Sequence, residues 1–161
     1  MRLKLCVVFA LAVLVLCSAS ALAEGPFAMT YGPGEAPGTW VYTLYNNDTT
    51  GTIVPWGLDL YWADPVDPSY YSVTGTPAGW VENLAYTWPA WDAISNDPAP
   101  GESLVGFTIA APTAAPYFTV YYYELGDSRE QLGQVVPEPS SMLALFGGVS
   151  ALGVMIRRRR A

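Results

Sequence analysis

From Thr39 onward the apolar positions recur with period two. Trp40, Tyr42 and Leu44 fall on one side of a strand that stops at the turn cluster Asn46-Asn47-Asp48, ahead of Gly51. Thr52 to Trp62 repeats the pattern with Trp56, Leu58 and Leu60, where Pro55 marks an edge or a bend. The loop Ala63 to Pro68 leads into a short β run, Tyr70 to Thr74, broken by Gly75, Pro77 and Gly79. Trp80-Val81-Glu82 and Tyr86-Thr87-Trp88 read as further short extended pieces. Val105, Phe107 and Ile109 then alternate inward, and Phe118, Val120 and Tyr122 form one face of Tyr117 to Tyr123. About seven such runs, with turn residues between them and no helical period, predict an antiparallel β-sandwich of the immunoglobulin or fibronectin III kind.

The flanks carry different patterns. Residues 24–38 are rich in Gly and Pro and read as an extended leader, while 125–136 is polar and weakly patterned and reads as a linker. The expected domain is therefore 39–124. Residues 1–23 show the zones of a secretory signal peptide: Arg2 and Lys4, an apolar run from Leu5 to Cys17, and Ala21-Leu22-Ala23 as an A-x-A cleavage site for signal peptidase. That apolar run is shorter than the ~20 residues a spanning helix needs, which favours cleavage over anchoring.

Residues 137–161 have three parts in fixed order: Pro137-Glu138-Pro139, the apolar stretch Met142 to Ile156, and the cluster Arg157, Arg158, Arg159 and Arg160. Prolines on both sides of Glu138 cannot sit inside a helix or a central strand, so the peptide is expected to stay extended and open to a processing enzyme. Residues 142–156 read as a membrane-spanning helix of about 22 Å at 1.5 Å per residue, short of the ~30 Å hydrocarbon core unless the arginines snorkel. By the positive-inside rule the arginine cluster holds the C-terminus in the cytoplasm and the domain outside.

A Pro-Glu-Pro peptide, a Gly-punctuated apolar helix and a terminal arginine cluster resemble the PEP-CTERM sorting signal of Gram-negative bacteria. The resemblance covers the last part of the chain only. It implies that a membrane-embedded exosortase recognises Pro137, Glu138 and Pro139 and cuts nearby. Residues 142–156 would then be a transient inner-membrane anchor, and the product would pass to the cell surface or the extracellular space. It also implies a place in the extracellular polysaccharide and biofilm matrix.

Composition sharpens this picture. Cys6 and Cys17 both lie in the signal, and there is no His in the chain and no Lys beyond Lys4. A Ser/His/Asp or Cys/His centre and a His-ligated transition-metal site are thereby excluded. Between Glu24 and Val136 thirteen acidic residues face the single cation Arg129, a net charge of −12 that argues against nucleic-acid binding.

Asp59, Asp64 and Asp67, along a strand end and loop, could supply oxygen ligands to Ca²⁺, although they lack EF-hand spacing and turn chemistry accounts for them as well. Trp62, Trp88 and Trp91 lie next to loops, and Trp88-Pro89-Ala90-Trp91 could present two rings to a sugar, set against burial in the core. The sequence thus predicts an exported, non-catalytic surface or matrix protein of structural or adhesive type. Its alternatives are a carbohydrate-binding module and a glycoside hydrolase with a carboxylate pair.

Overall fold

The computed structural model describes residues 25–138 apart from residue 96. The signal peptide with Ala21 and Ala23, Pro139, the apolar stretch 142–156 and the cluster Arg157, Arg158, Arg159 and Arg160 lie outside the described residues. Among the described residues ten strands follow one another: β1 (Phe27–Pro33), β2 (Thr39–Asn46), β3 (Ile53–Tyr61), β4 (Ser72–Gly75), β5 (Trp80–Glu82), β6 (Ala90–Ala93), β7 (Ser103–Ala110), β8 (Tyr117–Glu124), β9 (Asp127–Gln134) and β10 (Val136–Pro137). They form two five-stranded sheets, β10-β1-β2-β7-β4 and β5-β6-β3-β8-β9, and every pairing is antiparallel except β1 with β10. The fold is an all-β sandwich. Among the described residues no helix is long and apolar enough to cross a membrane.

Alternation along each strand sends one set of side chains between the sheets. Phe27, Met29, Tyr42, Leu44, Phe107 and Ile109 from the first sheet meet Leu58, Leu60, Trp91, Phe118, Val120 and Tyr122 from the second. Trp80 and Trp91 pack edge-on against Phe107, at ring-centroid distances of 5.1 and 5.3 Å. Each large apolar side chain buried in this way contributes about 1.5–3 kcal/mol relative to exposure. Tyr42 is buried with its hydroxyl accepting the Ala115 N–H at 2.6 Å, and burial pushes its ionisation far above the ordinary tyrosine range.

Two bulges shift the alternation from where the sequence places it. The register of β3 against β8 slips between Pro55 and Gly57, which turns Trp56 away from the Leu58 and Leu60 side. Trp56 stacks instead on Tyr121 and Tyr123, at 5.2 and 5.9 Å. In β7 the slip falls at Gly106, whose φ of +117° lies in the region that favours glycine. Phe107 and Ile109 stay in the core, but Val105 is 61 % exposed and Leu104 packs inward in its place.

The two flanks are part of the sandwich. The expected leader forms β1, with Phe27 and Met29 fully buried. The expected linker forms β9, whose Gln131 clasps Phe27 across the sandwich edge: Phe27 N–H donates to Gln131 Oε1 at 2.9 Å, and Gln131 Nε2 donates back to the Phe27 carbonyl at 2.7 Å. The turn after β2 is tied by Asp48, which accepts from the Thr50 and Gly51 amides at 2.8 and 2.9 Å and from the Thr50 hydroxyl at 2.7 Å. These hydrogen bonds hold its carboxyl down at about 2. Tyr86-Thr87-Trp88, expected as an extended piece, belongs to the bend between β5 and β6.

Candidate functional site

The outer face of the second sheet is aromatic because the residues between core positions on β3 and β8 are themselves large. Phe118, Val120 and Tyr122 point inward, so Tyr117, Thr119, Tyr121 and Tyr123 point out. On β3, Asp59 and Tyr61 stand opposite Thr119 and Tyr117, and the Tyr61 and Tyr117 rings stack at 5.7 Å and 20°. The β5–β6 connection folds over this face and brings Trp88, stacked on Tyr86 at 5.0 Å and 22°. The segment after β3 adds Trp62 and Asp64. These side chains line a cleft of about 470 Å³, with Asp59 and Thr119 in its floor and Tyr61, Tyr121, Trp62 and Trp88 around it.

Asp59 is only 6 % exposed. It accepts a hydrogen bond from the Tyr121 hydroxyl at 3.0 Å, and the indole of Trp88 lies near enough to favour its ionised form. Burial is the largest influence on this carboxyl and raises its pKa, against the lowering effect of those two donors; the nearby Asp92 adds a smaller raising effect. Burial and the Asp59 charge together push the Tyr121 hydroxyl well above the ordinary tyrosine range.

The residues singled out from the sequence divide. Trp62 and Trp88 both line the cleft. Trp62 is held edge-on by Tyr70 at 5.4 Å and 83°, and its Nε1 donates to the Thr113 hydroxyl at 3.3 Å. Trp91 does not join them: it lies on β6, fully buried, with its Nε1 donating to Thr76 at 3.1 Å. A spacing of three residues into a strand places the two rings on opposite faces.

Asp59 and Asp64 line the cleft, but Asp67 caps the 3-10 turn Pro68–Tyr70, its Oδ1 accepting from the Ser69 amide at 2.8 Å and hydroxyl at 2.7 Å. Among the described residues no group of three or more His, Cys, Asp or Glu is placed to hold a metal ion, so the Ca²⁺ set does not assemble. Tyr61, Thr119 and Tyr121 are the cleft residues that sequence reasoning passed over. The outward parity of β8, opposite Phe118 and Val120, was the signal that could have found them.

The described part of the tail is extended, as expected, but it is docked and not free. Val135 is buried at 7 % exposure, and its N–H donates to the Pro116 carbonyl at 2.9 Å. Val136 and Pro137 then pair in parallel with Thr30 and Tyr31, and the Glu138 N–H donates to the Tyr31 carbonyl at 2.8 Å. Pro137 is tolerated because this is an edge strand. The family model for the PEP-CTERM protein-sorting motif matches residues 135–160.

The chain carries a PEP-CTERM sorting tail.

A PEP-CTERM tail implies export and handling by an exosortase, and here its first residues are the last residues of the sandwich. None of the curated proteins compared with this PEP-CTERM chain matches it. Among solved structures, the sandwich is similar to part of a GH20 exo-β-N-acetylglucosaminidase from Vibrio harveyi, at 14 % identity and a TM-score of 0.40. That match covers 71 % of this chain and 18 % of the other, so the PEP-CTERM chain spans about a fifth of that enzyme's length. It is also similar to ChBD2 from Thermococcus kodakarensis, at 16 % identity and a TM-score of 0.42 over 66 % of this chain and 95 % of that one. A cohesin module from a Clostridium perfringens family 33 glycoside hydrolase matches at 7 % identity and a TM-score of 0.33, over 68 % and 96 % of the two chains. Likenesses this distant carry no functional argument.

Proposed function

We propose that this is an exported surface or matrix protein of structural or adhesive type, non-catalytic, whose tail is read by an exosortase. In this reading signal peptidase removes residues 1–23, and residues 142–156 anchor the chain transiently in the inner membrane with Arg157, Arg158, Arg159 and Arg160 in the cytoplasm. Cleavage near Pro137, Glu138 and Pro139 then passes the sandwich to the surface or the extracellular space. The observation that carries the reading is the sorting motif matched at residues 135–160, continuous with the last buried residue of the domain, Val135.

We also read the sandwich as immunoglobulin-like. What supports this is the strand order. β1-β2-β7-β4 follows the A-B-E-D order of that fold and β3-β8-β9 follows C-F-G, with the β5–β6 hairpin inserted before the fifth strand of the pattern and added beside β3.

The test is the intact mass of the protein recovered from medium and from membranes, in a host with the matching exosortase and in one without it. The expected result is a shortened, released or surface form in the first host and a membrane-bound form ending at Ala161 in the second. Release at the same rate from a variant with Pro137, Glu138 and Pro139 all replaced by alanine would overturn the reading.

A further inference from the structure

The cleft beneath Trp88 has a use that sorting does not call on. We infer that it binds a saccharide free of acidic groups, with a sugar ring stacked on Trp88 and its hydroxyls directed to Asp59 and Thr119 in the floor.

Three independent observations lead there. The first is that the rings are fixed before any ligand arrives. Trp88 leaves 37 % of its surface exposed, yet its ring is stacked on Tyr86 at 5.0 Å and 22°. Trp62 is pinned by Tyr70 and Thr113. Rings that need no ordering lose little entropy when a partner stacks on them. The apolar C–H face of a pyranose is the partner that suits an aromatic face while keeping hydroxyls at its rim.

The second observation is the polar floor. A carboxylate 6 % exposed is costly in an apolar wall unless its remaining lone pairs find donors. Sugar hydroxyls are donors of that kind. A lipid chain or an apolar peptide side chain would cover Asp59 and give it nothing.

The third is the sign of the charge. Asp59 and Asp64 line the cleft and no cation does. The one described cation, Arg129, is engaged by Glu124 at 3.4 Å and lies 4.0 Å from Asp127. A uronic acid, sulfate or phosphate group would therefore meet only negative charge. The volume, about 470 Å³, lies within the ~300–1,000 Å³ of small-ligand clefts.

The experiment is affinity electrophoresis of the full chain in mild non-ionic detergent, through gels cast with xylan, glucomannan or dextran, and in parallel with polygalacturonate. Retardation by at least one neutral polymer and none by polygalacturonate is expected. Trp88→Ala should weaken the retardation at least tenfold and Tyr61→Ala several-fold, while Val105→Ala on the opposite sheet leaves it unchanged. Asp59→Asn should weaken it too, and if that variant does not fold, Trp88→Ala and Tyr61→Ala decide. Mobility unchanged in all three neutral gels, retardation by polygalacturonate alone, or full retardation of Trp88→Ala would overturn the inference. Sorting is read separately, from the intact masses, and is expected to be unaffected by Trp88→Ala.

Discussion

The sorting motif begins inside the fold, so its exposure should be governed by a local opening whose size can be worked out. Releasing Val135 to Glu138 breaks the Glu138 N–H bond to Tyr31, the Val135 N–H bond to Pro116 and the ladder bonds that pair Val136 with β1, about 2 kcal/mol together for bonds at an exposed sheet edge. It also exposes the Val135 side chain, buried at 7 %, for about 2 kcal/mol more. The total of about 4 kcal/mol corresponds to an open fraction on the order of one in 10³. Val135→Ala removes two carbons from the core, about 1.6 kcal/mol, and should raise the open fraction about 15-fold. Amide hydrogen exchange of the full chain in micelles reads this directly. The Glu138 amide should be protected on the order of 10³-fold and lose about 15-fold of that in Val135→Ala, while amides of the central strand β3 change much less. Exchange of Glu138 at the rate of a free peptide in the unaltered protein would refute the reasoning, since the motif would then not be held by the sheet.

Gly133→Ala should destabilise the sandwich by about 1–3 kcal/mol, read as a lower urea midpoint, because a Cβ at that position would come within 2.5 Å of the Phe118 ring. Asp48, with its carboxyl held at about 2, contributes stability that is present above about pH 4 and lost as pH falls towards about 2. Urea midpoints measured across that window should show a decline that Asp48→Asn abolishes. Asp59 is raised in the folded state, which therefore holds its proton longer than the unfolded chain. Stability should fall as pH climbs from about 4 through the raised value, and Asp59→Asn should flatten that limb, so an unchanged slope in the variant would show that its burial is not felt.

The sequence disclosed the strands wherever period two ran unbroken and misplaced side chains wherever the backbone inserted a residue. Phe118, Val120 and Tyr122 needed no correction, because β8 runs through both its pairings without a bulge of its own that turns a core position outward. Trp56 and Val105 were placed inward on the same logic and both turned out, since a bulge changes parity without leaving a hydrophobic trace. Gly106 was the one local sign of the second bulge. At the N-terminal flank, Gly and Pro content outweighed the alternation of Phe27, Met29 and Tyr31, although that alternation is what pairs with β2. β9 was harder to see, because an edge strand buries little: of its residues only Gln131 is buried, and a polar strand whose one buried side chain is an amide reads like a linker.

The cleft was half legible for a related reason. Trp62 and Trp88 could be found because bulky residues beside loops draw attention, whereas parity alone turns Thr119 and Tyr121 outward without showing what they face, and they acquire meaning only once β8 lies beside Asp59 on β3. The tail shows the reverse situation. Its motif is readable in isolation, and what the sequence hides is that the motif is mechanically joined to the domain. Val135 in the core and Pro137 on the sheet edge leave no spacer between the folded unit and the peptide to be cut. Proline has no N–H to give the sheet, so the motif is attached by its neighbours, Val135 and the paired Val136 before it and the Glu138 amide after Pro137. An attachment of that kind is strong enough to hold the peptide against β1 and weak enough to open far below the cost of unfolding the sandwich. In the sorting reading proposed above, an exosortase would then reach the Pro-Glu-Pro segment without disturbing the core.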